Sequence, residues 1–200
     1  MMKNSGIIIL VIATLTCFAQ RNAKPRMEAM YAEGYYLNNK NDTVHGMVQI
    51  NPENPTDFYR KFAFKGKRSG KPKVIEAGRV MAYGFGIRHF VLLNLEGQKL
   101  FAERLTDGRL RLYEYLFLGK KNGYPEICSD YFIRDSYAGD EQPDLKKPRK
   151  LSHKFYKRTL KPYFQEQPML WKDLDKYTFE RDQILRSIKE FNRFYKNPGH

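Results

Sequence analysis

The sequence predicts an α+β fold: an antiparallel β-sheet or partly open barrel, rich in meanders, followed by C-terminal helices packed on it. Three observations carry this expectation. The 200-residue chain holds fourteen Tyr and fourteen Phe, residue types that favour a pleated, half-buried surface. Two-residue connections, Glu96-Gly97 and Asp107-Gly108, separate β-prone segments in the middle of the chain. After Ser152 the apolar residues change from alternation to helical spacing.

The first nineteen residues read as a secretory signal: Lys3, an apolar run from Ile7 to Leu15, then Cys17-Phe18-Ala19. That run is shorter than the roughly 20 residues a helix needs to cross a bilayer. Small residues at Cys17 and Ala19 place the cut before Gln20. The alternative is a lipoprotein anchored at Cys17, but Thr14 and Thr16 stand where such signals carry a branched and a small residue. Cleavage after Ala19 leaves 35 basic residues against 22 acidic ones, a net charge of +13. It also leaves Cys128 as the one cysteine, so the core alone must hold the fold. Residues 20–28 are then a short N-terminal tail. One domain follows, with a β body over 29–137, a polar basic linker over 138–151 and a helical part over 152–196.

Within the body, residues 32–37 and 43–50 read as a hairpin around the cluster Asn38 to Asp42. Asn51-Pro52-Glu53-Asn54-Pro55 breaks the pattern. A strand from Phe58 to Lys65 and an exposed basic loop ending at Lys73 follow. Short strands are expected at 74–76 and 79–85. The best-determined region is a meander of strands 87–95, 98–106 and 109–118. A two-residue turn fixes register, so Glu96-Gly97 sets Leu93 opposite Leu100, Phe90 opposite Glu103 and His89 opposite Arg104. In the same way Asp107-Gly108 sets Leu110 opposite Leu105 and Arg111 opposite Arg104. His89, Arg104 and Arg111 would then form one basic row, which needs solvent or an anion because facing like charges repel. Residues 127–133 read as one more strand.

In the helical part, Ser152 is the expected N-cap of a helix carrying Phe155, Tyr156, Thr159 and Leu160, which Pro162 ends or kinks. Pro168 starts a short helix with Leu170, Trp171 and Leu174. Thr178 is the expected cap of a longer one in which Ile184, Leu185, Ile188, Phe191 and Tyr195 recur at helical spacing.

The segments Gly34-Tyr35-Tyr36 and Asn41-Asp42-Thr43-Val44-His45-Gly46-Met47-Val48, with Gln98-Lys99-Leu100-Phe101 and the signal ending Phe18-Ala19-Gln20, resemble a group of uncharacterised exported proteins of Bacteroidota-type bacteria. Asn41 stands where that group carries Gly. The resemblance implies a periplasmic or envelope location and assigns no functional residue.

The chemistry legible in the sequence is electrostatic. The four His, at 45, 89, 153 and 200, have no His or Cys partner at metal-ligand spacing. No phosphate loop, zinc-protease pattern or nucleophile elbow is present, and no cofactor or catalytic residue is assigned. A strand Cys128 beside Ile127 and Tyr131 reads as a small packed side chain. Positive charge concentrates in Arg60 to Lys73 and again at Lys146, Lys147, Arg149, Lys150, Lys154, Lys157, Arg158 and Lys161, and such clusters raise the local concentration of a polyanion. Export disfavours nucleic acid as a partner. The expected function is therefore a noncatalytic module that binds an anionic lipid headgroup, lipopolysaccharide, acidic polysaccharide or acidic envelope protein. Its candidate residues are the basic row and the cluster from Lys146 to Arg158. An envelope assembly factor docking through its helices and exposed aromatics is the alternative. A hydrolase with an unrecognised site is the weaker one.

Overall fold

A computed structural model describes residues 29–67, 70–137 and 147–196; the signal and Cys17 lie outside the described residues. The expected fold class is present. Ten strands form one open antiparallel sheet, and three α-helices follow it. The strands are β1 (Met30–Leu37), β2 (Thr43–Ile50), β3 (Lys61–Gly66), β4 (Lys73–Glu76), β5 (Ala82–Phe85), β6 (Arg88–Leu95), β7 (Gln98–Arg104), β8 (Leu110–Lys121), β9 (Tyr124–Asp135) and β10 (Arg149–Leu151). Their order across the sheet is β10-β9-β8-β7-β6-β5-β1-β2-β3-β4. The helices are α1 (Tyr156–Phe164), α2 (Pro168–Asp173) and α3 (Arg181–Lys196). No helix among the described residues is long and apolar enough to cross a membrane.

The first hairpin turns where expected. Asn41 sits in the left-handed region at φ 64°, which Asn tolerates best after Gly. The Asn38 side chain accepts the backbone N–H groups of Lys40 and Asp42. Pro55–Tyr59 form a 3-10 turn in place of the start of a strand, because Pro55 favours a helical first turn. That turn delivers Phe58 and Tyr59 into the core, 3% and 0% exposed.

Phe58, Tyr59, Phe62, Tyr83, Phe90 and Phe101 form one aromatic core. Phe62 of β3 stacks on Tyr83 of β5 at 3.9 Å and meets Phe101 of β7 at 5.9 Å between ring centroids. Strands so far apart in sheet order touch only because the sheet coils tightly around this face. Gly34 and Gly46, directly opposite each other, permit the coiling. A Cβ on Gly34 would stand 2.4 Å from the Gly84 carbonyl, and one on Gly46 2.5 Å from the Phe64 ring.

The helices cover the same face further along, over β8, β9 and β10. Leu110, Leu112, Ile133 and Leu151 meet Leu160, Phe164, Ile184, Ile188 and Phe191. Each such side chain contributes about 1.5–3 kcal/mol on burial. β10 lies in what the sequence suggested was linker, and Arg149–Leu151 pair with Tyr131–Ile133 of β9.

The helix starts differ from expectation. Phe155 precedes α1, and the Ser152 carbonyl accepts the N–H groups of Phe155 and Tyr156. Pro162 lies inside α1 without ending it. α3 begins at Arg181, with Ile184 N–H donating to the Glu180 carbonyl, so Thr178 is not its cap.

Candidate anion-binding face

Two acidic residues that the sequence left scattered meet on the covered face. Glu103 of β7 lies opposite Glu114 of β8. Arg88 grips Glu103 as a fork, Nε at 2.9 Å and a terminal nitrogen at 2.6 Å, with Tyr59 donating to the same carboxylate at 3.4 Å. Burial alone would lower the Arg88 pKa, and the fork to Glu103 outweighs it and raises it. Glu114 receives Arg181 Nε at 3.2 Å and the Tyr131 hydroxyl at 3.1 Å. Each carboxylate is thus matched by its own guanidinium, and the Arg88 group also lies 4.8 Å from the Phe90 ring centroid. This network joins the two cores, and every polar partner in it is internal.

The opposite face, which no helix covers among the described residues, differs, although Leu93, Leu95, Ala102, Tyr113 and Phe132 bury a smaller apolar cluster there. The β6–β7 register agrees with expectation, with Leu93 opposite Leu100 and Phe90 opposite Glu103. The β7–β8 register does not: Arg104 lies opposite Tyr113, not Arg111. The reason is that Asp107-Gly108 sits within a wider loop. The Thr106 hydroxyl donates to the Leu110 carbonyl at 3.2 Å and accepts the Leu112 N–H at 2.8 Å. Asn192 of α3 accepts the Leu110 N–H at 2.9 Å and donates to the Asp107 and Leu110 carbonyls at 3.1 and 2.7 Å. These side chains replace the ladder bonds a tight turn would have made. A shift of two residues keeps the same face outward, so Arg104 and Arg111 remain on one face as diagonal neighbours.

The direct partner of Arg111 is Arg134 of β9. Neither has an ion pair or hydrogen bond among the described residues, and the Nε of each is buried without a partner. The Ser136 hydroxyl, two residues beyond Arg134, is likewise buried and unpartnered. Two unit charges 4 Å apart repel by ~1 kcal/mol in water and ~4 kcal/mol at an effective dielectric of 20. An anion between them removes that repulsion and supplies acceptors. Arg104 carries an ion pair at 3.1 Å to the exposed Asp107. His89 shares a 2.9 Å hydrogen bond with the Tyr35 hydroxyl.

The second candidate cluster does not gather at this pair. Lys146 lies outside the described residues, and Lys147 is exposed. Arg149 is on the helix side and donates to the Tyr163 hydroxyl at 2.5 Å. Lys150 faces the open side and is tied to Asp130 at 2.7 Å and Glu96 at 3.5 Å; its hydrogen bond to Asp130 raises its pKa. Lys157 donates to the Asp175 carbonyl. Lys154 and Arg158 lie over the exposed Phe155 ring at the start of α1. They form a separate basic surface on the helical side.

Cys128 is half-buried opposite Phe117, its Sγ 3.7 Å from the Glu126 carbonyl. Among the described residues, no cluster of three or more His, Cys, Asp or Glu could hold a metal ion. Arg134 was not foreseen, although Asn122-Gly123 was the signal for it. This two-residue turn has φ values of 53° and 84° and sets Lys121 opposite Tyr124, hence Arg111 opposite Arg134. No family model, curated protein or solved structure matches the chain.

Proposed function

We propose that this protein is an exported, noncatalytic module that binds an anionic component of the cell envelope on the helix-free face of its sheet. One observation carries the reading: Arg111 and Arg134 face each other across adjacent strands with no carboxylate paired to either among the described residues. Elsewhere in the sheet the chain supplies carboxylates for half-buried guanidinium groups, as Glu103 for Arg88 and Asp135 with Glu166 for Arg109. Leaving two guanidinium groups unmatched side by side is unfavourable unless a ligand completes them. Arginine forks suit carboxylate, phosphate and sulfate oxygens alike. The net charge of +13 left after removal of the signal draws such ligands toward the surface.

The test is equilibrium binding of galacturonate and inorganic phosphate to the full chain and to Arg111→Gln/Arg134→Gln, at low and high salt. The reading expects binding that weakens as salt rises and falls at least about tenfold in the double variant, whose circular dichroism is unchanged. Equal affinity in the two proteins would refute it.

A further inference from the structure

The open face continues beyond the arginine pair. Cross-strand register lines up His45, Tyr35, Gly84 and His89 over β2, β1, β5 and β6. Continuing the β6–β7 register brings the row to Arg104, which lies opposite Tyr113. Gly84 makes the row continuous: a Cβ there would stand 2.9 Å from the Tyr35 ring and 3.1 Å from His89 Nδ1. Without it, Tyr35 leans across to its hydrogen bond with His89. At the β2 end, Glu33, Tyr35, His45, Met47 and Lys67 line a shallow cavity of about 330 Å³. His45 and Lys67 are exposed, and neither pairs with a carboxylate among the described residues.

We infer that this row is a track for a linear acidic polysaccharide of the polyuronate class, running from the Lys67 cavity to Arg104 and the Arg111–Arg134 pair. The inference rests on the anion-binding reading of that face. Three features select the ligand. The half-buried Tyr35 ring, set between His45 and His89, gives a sugar ring an amphipathic surface to lie on. Glu33 beside Lys67 and His45 offers an acceptor that sugar hydroxyls satisfy and that a phosphodiester, which has no donor, leaves unsatisfied. The row advances by ~4.8 Å per strand, close to the rise of one pyranose in an extended chain, so carboxylates spaced along the chain can meet His45, His89 and Arg104 while the sugars between them lie over Tyr35 and Gly84.

The experiment is calorimetric titration of the full chain with an oligogalacturonate long enough to span the row. Galacturonate monomer, a neutral dextran of equal length and phosphatidylglycerol vesicles serve as comparisons. Linked subsites raise affinity without new contacts, so the oligomer should bind ~100-fold more tightly than the monomer. His45→Ala/Lys67→Ala, which changes only exposed side chains, and Tyr35→Leu should each weaken the oligomer about tenfold and leave the monomer unchanged. The track is overturned if neither variant alters oligomer binding, if dextran binds equally well, or if vesicles bind and the oligomer does not. If both variants weaken the oligomer while Arg111→Gln/Arg134→Gln leaves oligomer and monomer binding intact, the track stands and the arginine-pair reading falls. If only the arginine variant loses binding, the pair stands and the track falls.

Discussion

At the residue scale, this protein separates charges that it satisfies itself from charges that it leaves open. Arg88 and Arg181 are matched to Glu103 and Glu114 on the covered face of the sheet, whereas Arg111 and Arg134 are matched to nothing among the described residues. Around the satisfied pairs the tyrosine hydroxyls are also enclosed. Burial, with Glu103 and Glu114 nearby, pushes the Tyr59 phenol far above its ordinary value of 10.0, and burial does the same to Tyr83. Tyr131, Tyr156, Tyr163 and Tyr177 shift in the same direction, burial being the leading cause in each. The sign for stability follows. Below pH 10 neither folded nor unfolded phenols ionise and these groups cost nothing. Above it the unfolded chain loses protons that the folded chain keeps, so stability falls as pH rises. Absorbance titration should therefore show these enclosed tyrosines ionising only together with loss of near-UV circular dichroism. A single reversible ionisation of all tyrosines in a folded chain would contradict the buried hydroxyl network.

At the scale of elements, the β7–β8 loop shows how a helix can decide the register of a hairpin. Asn192 is 4% exposed, and its amide satisfies backbone groups at Asp107 and Leu110. Gly108, at φ 127°, leaves room for it, since a Cβ there would lie 2.7 Å from Asn192 Cγ. Asn192→Ala strands the Leu110 N–H in a buried site and should cost about 2–3 kcal/mol, read as a lower urea midpoint at unchanged slope. An effect within ~0.5 kcal/mol would show that the loop is held by Thr106 alone. This loop also marks where local sequence signals mislead. Asp-Gly between two strands is a strong signal for a tight turn, but the competing bonds come from a residue more than eighty positions away, and no local rule contains them. The β6–β7 turn has no such neighbour and followed its local signal, with Glu96 and Gly97 at φ 51° and 86°.

At the scale of the whole molecule, the sheet and helices form a single structural unit, because α3 closes the core over β8 and β9. Ile184, Ile188 and Phe191 are at most 1% exposed. Ending the chain at residue 180 would uncover Leu110, Leu112 and Ile133, remove Asn192 from the loop and take Arg181 from Glu114. Such a chain should lose its cooperative thermal transition and bind a hydrophobic dye; a sharp transition near that of the full chain would show the β body to be independent. The two faces of the sheet then divide their roles. One carries the aromatic and the helix-covered cores with the Glu103 and Glu114 ion pairs, and the other carries a smaller apolar cluster around Ala102, Tyr113 and Phe132, the unmatched arginines and the His45–Tyr35–His89 row.

Much of this was legible in the sequence, for identifiable reasons. The hairpin at 38–42, the Glu96-Gly97 turn, the start at Pro168 and the helical stripe from Ile184 to Tyr195 all rest on local sterics and on the period of apolar residues, which act within a few positions. The sequence alone therefore determined the fold class, the order of its elements, the basic charge and the presence of arginines on one face of the meander, since face depends only on parity. Tertiary structure decided which arginine stands opposite which, that Glu103 meets Glu114, and that Arg149 turns inward while Arg134 turns out. It also decided that Tyr35 reaches His89 across Gly84. Pairings of this kind depend on where distant strands and helices come to lie, and they are set by long-range packing and by competition for backbone hydrogen bonds that no local segment encodes.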